Sequence, residues 1–368
     1  MKKIISLLLI FSLALCLCAC AGEAPSAPAE TPAPTPEASA APAPEDTPVP
    51  DPGTEPAETP EPSPEGELML SVSSITFSTV GESENIYRGS IPAEEVLWKS
   101  GDESVITVEN GVLTAVGVGE CTVSAEYGDS SFLCTASCLA ENEEQLSSLP
   151  EEILRSPKRM PVHLEAPPTD YFADALIMGD YISYFLFQFE SKTDLLGDVM
   201  FLTRGGTSLL GIENGHYNIY YQGQDMDIED SVALSGRGKL FLMLGQNDLG
   251  YRSIEETLES YRNIINRIRE KSPNVEIYIQ SLVHEWWETG ASNSRNEKID
   301  LYNAALEPFA AEMGCHYLDI KMYIEDHLGT MAAPYNMDYG IHVNEEGCIE
   351  WMQALLSYAY IEMMGENK

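Results

Sequence analysis

Four short groups in the second half of the chain combine small residues with side chains that exchange protons or donate hydrogen bonds. They contain carboxylates, two amides and an imidazole, which are common in proton transfer and in the binding of polar ligands. The groups are Met178-Gly179-Asp180-Tyr181, Arg204-Gly205-Gly206-Thr207, Leu244-Gly245-Gln246-Asn247-Asp248 and Asp338-Tyr339-Gly340-Ile341-His342. Joint chemistry requires a fold that brings them to one place.

The elements around these groups alternate between strands and helices. Five apolar segments are nearly continuous, as expected of parallel strands that are buried on both faces. They cover residues 175–178, 198–202, 240–244, 275–283 and 317–320. This order predicts a three-layer, doubly wound α/β domain with a parallel sheet over residues 147–368. Each group follows a strand or precedes the last helix, at the edge where such sheets bind ligands.

Local signals mark the helices between these strands. Ser253 with Glu256 forms a capping box, which predicts a helix that extends to about residue 271. A second predicted helix covers residues 296–313 and ends at Gly314, and the last one follows Asn344.

The four groups, in this order, resemble the sequence blocks of the SGNH (GDSL) hydrolase family over residues 171–360. The resemblance implies a flavodoxin-like α/β fold and an ester hydrolase site. In that family a Gly-Asp-Ser block supplies the nucleophilic serine, a glycine and an asparagine donate hydrogen bonds to the oxyanion, and an Asp-x-x-His block supplies the base and the carboxylate that orients it. Carried over to this chain, the base is His342, and the oxyanion and ligand-binding residues are Asp180, Gly205 or Gly206, and Asn247.

Two positions depart from the family pattern. Tyr181 stands where the serine is expected, and Tyr339 stands three residues before His342, where the aspartate is expected. A phenol is a weaker nucleophile than an activated serine, and its ring would occupy the space that the acyl group needs. Ser183 would face away from the site on the following helix. Asp338 would orient His342 if the loop bulges by one residue.

Three interpretations of this degenerate site stay open. In the first, the domain binds a glycan or an acylated cell-wall component without hydrolysing it. In the second, it is an active carbohydrate or peptidoglycan O-acyl esterase that uses a displaced nucleophile or water with His342. In the third, it is a spacer without a ligand. Trp286 and Trp287 would stack on a sugar ring in a binder, or would form a hydrophobic lid or core edge.

The other histidines and the cysteines show no metal-ligand spacing, and no cofactor is expected. Four of the six histidines are expected at surface or locally hydrogen-bonded positions, and they are His163, His216, His316 and His327. The cysteines after the first 20 residues, an odd number that closes no disulfide framework, are Cys121, Cys134, Cys138, Cys315 and Cys348. A pair between Cys121 and Cys134 across a hairpin stays open.

The first 20 residues resemble the signal peptide of a bacterial lipoprotein. Lys2 and Lys3 precede an apolar run over residues 4–17, and Leu17-Cys18-Ala19-Cys20 resembles a lipobox. Processing would leave a lipid-anchored Cys20 on the extracellular face of the cell membrane. The alternative is an ordinary signal peptide that is cut nearby, or an uncleaved anchor.

Residues 21–66 hold fourteen of the 23 prolines and no lysine, arginine or aromatic residue. This composition cannot bury a core and favours extended polyproline II, so it predicts a disordered acidic stalk. The formal charge of the whole chain is −39, which would repel phosphate backbones and excludes nucleic acid as an expected partner. The expected partners are the membrane, through Cys20, and a cell-wall glycan or other surface polymer.

Residues 67–141 alternate apolar and polar positions with regular turn signals, which predicts a β-sandwich. The segments that carry this pattern are Val96-Leu97-Trp98-Lys99-Ser100, Ser104-Val105-Ile106-Thr107-Val108, Asn110-Gly111-Val112-Leu113-Thr114-Ala115 and Gly119-Glu120-Cys121-Thr122-Val123. They resemble the group 2 bacterial immunoglobulin-like (BIG2) family, which implies adhesion or spacing at the cell surface. Trp98 would fill the space between two sheets, and Asn110-Gly111 suits a type I′ hairpin.

Overall fold

A computed structural model describes residues 66–216, 219–286, 293–338 and 340–366. Cys20, the predicted signal peptide and the predicted stalk up to residue 65 lie outside the described residues, as do Trp287 and Tyr339. No helix in the described ranges combines the length and the apolar character that a membrane crossing requires.

The first part of the described chain is all β. Its strands, in chain order, are β1 (Val72–Thr79), β2 (Ser83–Asn85), β3 (Leu97–Ser100), β4 (Ile106–Glu109), β5 (Val112–Ala115), β6 (Gly119–Tyr127) and β7 (Ser130–Ala140). The β4–β5 hairpin turns through Asn110 at φ +50° and Gly111 at φ +83°, the pair of positive φ values that a type I′ turn requires. Trp98 is half-buried, and its ring packs edge-on against Tyr87 at 5.7 Å. The immunoglobulin-like assignment stays a prediction.

The segment after this β region returns to it. Two short helices, α1 (Glu143–Ser147) and α2 (Glu151–Leu154), lead to β8 (Arg159–Pro161), which pairs antiparallel with β1. One sheet therefore has the order β3-β6-β7-β1-β8, and the second has the order β2-β5-β4. Because β8 lies beyond residue 141, the larger sheet takes its last strand from the segment that leads into the next domain.

The remaining elements alternate between β and α as predicted. They are β9 (Ala175–Gly179), α3 (Tyr181–Thr193), β10 (Met200–Thr203), α4 (Leu209–Glu213), β11 (Ile219–Tyr221), β12 (Gln224–Met226), α5 (Ile228–Ser235), β13 (Lys239–Met243), α6 (Ile254–Lys271), β14 (Glu276–Gln280), α7 (Asn293–Glu312), β15 (His316–Leu318) and α8 (Glu345–Glu366). All five predicted strands are present, and α6 begins with the predicted capping box at Ser253 and Glu256. The predicted α/β architecture is therefore confirmed.

The α/β sheet is entirely parallel, with the order β10-β9-β13-β14-β15. Numbered within the sheet this order is 2-1-3-4-5, the flavodoxin-like arrangement, whose direction of winding reverses between β9 and β13. Helix contacts fall into two groups, α3 with α8, and α4, α5 and α7 with α6. The three central strands, β9, β13 and β14, are almost wholly buried, as expected of a sheet covered on both faces. Sheets of this kind bind ligands in the crevice at the carboxyl ends of the strands beside this reversal, here β9 and β13, and we call this edge the groove.

The β region and the α/β domain share one hydrophobic core, which extends from Leu68 to Ala359. Arg159 of β8 bridges the two parts, with an ion pair to Glu84 at 2.8 Å and another to Glu325 at 2.9 Å. Nearby, His327 Nδ1 and the Ser78 hydroxyl lie 2.9 Å apart. These contacts make the β region a docked part of one compact unit.

Replacing Arg159 by methionine should weaken this junction, because Glu84 and Glu325 would lose a common partner that is largely shielded from water. We expect the free energy of unfolding to fall by about 3 kcal/mol. Urea denaturation measures this change. The matched control is Lys99→Met, which removes an exposed pair with Glu126 and should cost less than about 1 kcal/mol. Equal losses for the two variants would contradict the assigned role of Arg159.

Candidate functional site

The site begins at the turn from β9 into α3. Asp180 is the N-cap of α3, and its Oδ1 accepts a hydrogen bond of 2.9 Å from the Ile182 backbone N–H. A Cβ at Gly179 would collide with the Ser183 hydroxyl, so glycine is required for this close approach of helix and strand. The turn places Tyr181 at the first position of the helix.

Asn247, in the loop after β13, lies across from Asp180. Its Nδ2 donates one hydrogen bond of 2.9 Å to Asp180 Oδ2 and another of 2.9 Å to the Thr207 carbonyl. The side-chain amide nitrogen of asparagine carries two hydrogens, and both are donated to acceptors within the protein. The predicted donation from Asn247 to a bound carbonyl oxygen would require it to release one of these two partners, and this role stays a prediction.

The loop after β10 is held against the same two loops. Gly206 adopts φ +73°, and the Thr207 hydroxyl donates a hydrogen bond of 2.6 Å to the Arg204 carbonyl, which closes the turn. Asp248 accepts hydrogen bonds from the Leu209 and Leu210 backbone N–H groups at 2.8 and 3.1 Å. Thus the three loops that follow β9, β10 and β13 form one hydrogen-bonded rim.

The Tyr181 ring stands over this rim. It is 42% exposed, and a Cβ placed on Gly205 would lie 3.1 Å from its Cδ2. Its centroid is 5.0 Å from that of the His342 ring, with an interplanar angle of 74°. The phenol ring therefore packs against both the glycine and the histidine that the family pattern places around a reacting ester.

His342 is paired with Asp338. The Nδ1 atom of His342 and Oδ2 of Asp338 are 2.5 Å apart, although four residues rather than three separate them in the chain. Phe185 packs on the imidazole at 5.0 Å, and the Trp286 backbone N–H donates to the Gly340 carbonyl at 2.7 Å. Asp338 thus occupies the orienting position, and its catalytic role stays a prediction.

Two other candidates, Ser183 as a nucleophile and Trp286 as a stacking ring, lie inside the protein. Ser183 lies on the buried side of α3 and is fully buried, so its hydroxyl is not exposed to a ligand. Trp286 is 7% exposed, and the Arg155 guanidinium lies 4.1 Å from its ring centroid. This position agrees with the core-edge alternative for Trp286, and its stacking role stays a prediction.

Two residues to which the sequence pattern gave no role, Asp248 and Phe185, also support the site. Asp248 is buried and holds the start of α4, and Phe185 carries the His342 ring. Phe185 follows Tyr181 by four residues, a spacing that places two side chains on one face of a helix. This spacing in the sequence could have indicated that Phe185 belongs to the site.

The histidines outside the site have local partners or no metal-binding neighbours. His163 pairs with Glu350 at 2.8 Å, and His316 lies 3.1 Å from the Tyr358 hydroxyl. Among the described residues, no cluster of three His, Cys, Asp or Glu side chains could hold a metal ion. The five cysteines beyond the first 20 residues carry free thiols, so Cys121 and Cys134 are unpaired.

Burial raises the pKa of the Asp180 carboxyl to about 6, while the hydrogen bond from Ile182 and the nearby His342 partly oppose this rise. At pH values between the pKa of about 4 in the unfolded state and the pKa of about 6 in the native state, the native state binds more protons than the unfolded state. This group therefore stabilises the protein fully below about pH 4 and loses that contribution as the pH rises through 6.

We expect the free energy of unfolding of the wild type to fall, relative to that of Asp180→Asn, by about 2 to 3 kcal/mol between pH 4 and pH 7. Urea denaturation of both proteins across this pH range measures the difference. A difference that stays constant with pH would show that Asp180 does not titrate in this range.

Comparison with known proteins agrees with this architecture. Residues 215–348 match the sequence model of the GDSL-like Lipase/Acylhydrolase family, a range that includes Asn247, Asp338 and His342 but not Tyr181 or Gly205. The C-terminal domain is therefore GDSL/SGNH hydrolase-like. No curated protein matches the chain significantly.

Similar solved structures come from bacteria and a fungus. A GDSL-like lipase from Bacteroides thetaiotaomicron is 15% identical, with a TM-score of 0.40, over 54% of this chain and 92% of that one. A carbohydrate esterase family 3 protein from Talaromyces cellulolyticus is 15% identical, with a TM-score of 0.38, over 52% of this chain and 98% of that one.

Proposed function

We propose that this protein is a cell-surface lipoprotein whose SGNH-like domain binds a glycan or an acylated cell-wall component without hydrolysing it. The observation that carries the proposal is the position of Tyr181, whose ring packs on Gly205 and His342. An ester bound for hydrolysis would need that space for its acyl group.

The chemistry of the nucleophile supports this proposal. A serine hydroxyl at the start of α3 would lie close to the helix backbone, whereas the phenol oxygen of Tyr181 lies at the far end of a ring. A phenol is also the weaker nucleophile when a histidine must remove its proton. The buried Ser183 offers no replacement.

The hydrogen-bond donors support it as well. Oxyanion stabilisation requires donors that are aimed at the site where the charge develops. Asn247 instead donates both amide hydrogens within the protein, one to the Asp180 carboxylate and one to the Thr207 carbonyl. The tyrosine at the serine position and the internal hydrogen bonds of Asn247 together support binding over acyl transfer.

The alternative function is an active O-acyl esterase that uses water in place of the serine. The pairing of His342 with Asp338 favours it, because a carboxylate on Nδ1 leaves Nε2 able to accept a proton from water. This alternative still lacks the Asn247 donor.

The setting of the domain forms the rest of the proposal. A lipid anchor at Cys20 and an acidic, proline-rich stalk would hold the described part of the chain away from the membrane. The strand pattern and the BIG2 resemblance of residues 67–141 support an immunoglobulin-like module. Because this region shares a core with the α/β domain, it would position the site rather than serve as a separate flexible spacer.

Ester hydrolysis separates the two functions. We expect purified full-length wild type to turn over p-nitrophenyl acetate and acetylated xylooligosaccharides no faster than His342→Ala. Tyr181→Ser would free the space beside Gly205 and place a hydroxyl near His342. It should therefore hydrolyse p-nitrophenyl acetate on the order of a hundredfold faster than the wild type.

The double variant Tyr181→Ser/His342→Ala is the control and should lose this gain. Wild-type turnover that disappears in His342→Ala would contradict the binding proposal and favour the esterase.

Retention on cell walls tests the binding itself. Insoluble wall preparations should pellet the wild type, because binding requires no ester hydrolysis. Sedimentation followed by quantification of the protein in the pellet measures this. Loss of all retention would favour a spacer without a ligand.

A further inference from the structure

Three rings on α3 form a row that starts in the candidate site and extends away from it. They belong to Tyr181, Tyr184 and Phe187, which recur every third residue and so share one side of the helix. The Tyr181 and Tyr184 rings stack nearly parallel at 5.4 Å, and Tyr184 and Phe187 are 6.2 Å apart. We call these three side chains the α3 aromatic row.

The row is open to solvent and held in place. Tyr181 is 42% exposed, Phe187 is 38% exposed and Tyr184 is half-buried. Phe187 packs on Phe201 at 5.5 Å, and Gln188 Nε2 donates to the Tyr184 hydroxyl at 2.8 Å. Exposed large rings that are fixed by neighbours present a ready apolar surface, which is a feature of binding sites.

Polar groups border the rings. Gln188 and the exposed Ser191 lie further along α3, and the Asp338–His342 pair lies at the end of the row where Tyr181 touches His342. A pyranose sugar complements such a surface. Its apolar C–H face can lie on an aromatic ring, and the hydroxyls at its edge can form hydrogen bonds with the polar groups. Successive rings at 5.4 and 6.2 Å have a spacing comparable to the length of one sugar ring.

We propose that the α3 aromatic row binds an extended, neutral or amine-bearing oligosaccharide, whose successive sugars stack on its rings and whose terminal sugar reaches Asp338 and His342. This inference rests on the proposed binding function and assigns it to a particular surface and class of ligand.

The charge distribution selects this occupant over an anionic lipid surface or a polyanion. The chain carries a net charge of −39, and the exposed Asp338 carboxylate lies at one end of the row. The basic residue of α3, Lys192, is engaged with Glu345 at 3.6 Å and with the Phe189 ring at 4.7 Å. A membrane-binding helix would instead surround its apolar side chains with lysine and arginine.

The test is isothermal titration of the full-length protein with four hexasaccharides, chitohexaose, its fully deacetylated form, cellohexaose and xylohexaose. We expect at least one to bind the wild type. Tyr184→Ala and Phe187→Ala should each weaken that binding about fivefold, the effect of losing one stacked ring. Tyr220→Ala, which removes a 70% exposed tyrosine on β11, is the matched control and should bind like the wild type.

Circular dichroism verifies that each variant is folded, and the exposed Phe187 provides a second variant should Tyr184→Ala unfold. Binding that is unchanged in both row variants would overturn this inference and leave the proposed function standing. Failure of all four sugars to bind, or binding of anionic phospholipid vesicles in their place, would also overturn it. The proposed function fails separately, if the wild type hydrolyses esters through His342 or is not retained on cell walls.

Discussion

A buried carboxylate must find hydrogen-bond donors, and at the centre of this site Asp180 takes them from the helix backbone and from Asn247. The first bond begins α3, and the second joins the loops after β9 and β13 at the point where the sheet changes its direction of winding. Because Asn247 also binds the Thr207 carbonyl, the loop after β10 is included. The shape of the groove therefore depends on this one shared carboxylate.

The same arrangement limits the chemistry of the site. The Asn247 amide holds two internal acceptors together, and the Tyr181 ring at the start of α3 packs on Gly205 and His342. What remains is a histidine oriented by Asp338 and enclosed by the rings of Tyr181 and Phe185. Under the proposed function, this set of aromatic surfaces and hydrogen-bonding groups serves recognition and not acyl transfer.

The position of the site relative to the β region is set by burial. β8 adds to the larger β-sheet, Arg159 joins carboxylates on both sides, and a single apolar core continues across the junction. A module that shares a core cannot pivot without exposing apolar surface to water. The groove and the β region therefore move together, and their relative orientation is part of the surface that a polymer would meet.

The sequence alone determined the features that depend on local physics. Continuous apolar segments predicted the five parallel strands, and the Ser253–Glu256 capping box marked the start of α6, because burial period and backbone capping act over a few residues. It also predicted that the candidate groups meet at the carboxyl edge of the sheet. Only the tertiary structure decided that Asp338 pairs with His342. It also decided that the Asn247 amide donates to Asp180 and to the Thr207 carbonyl, and that the Arg155 guanidinium covers the Trp286 ring. These outcomes depend on which distant side chains compete for a donor, an acceptor or a place in the core, and that competition is settled when the whole chain packs.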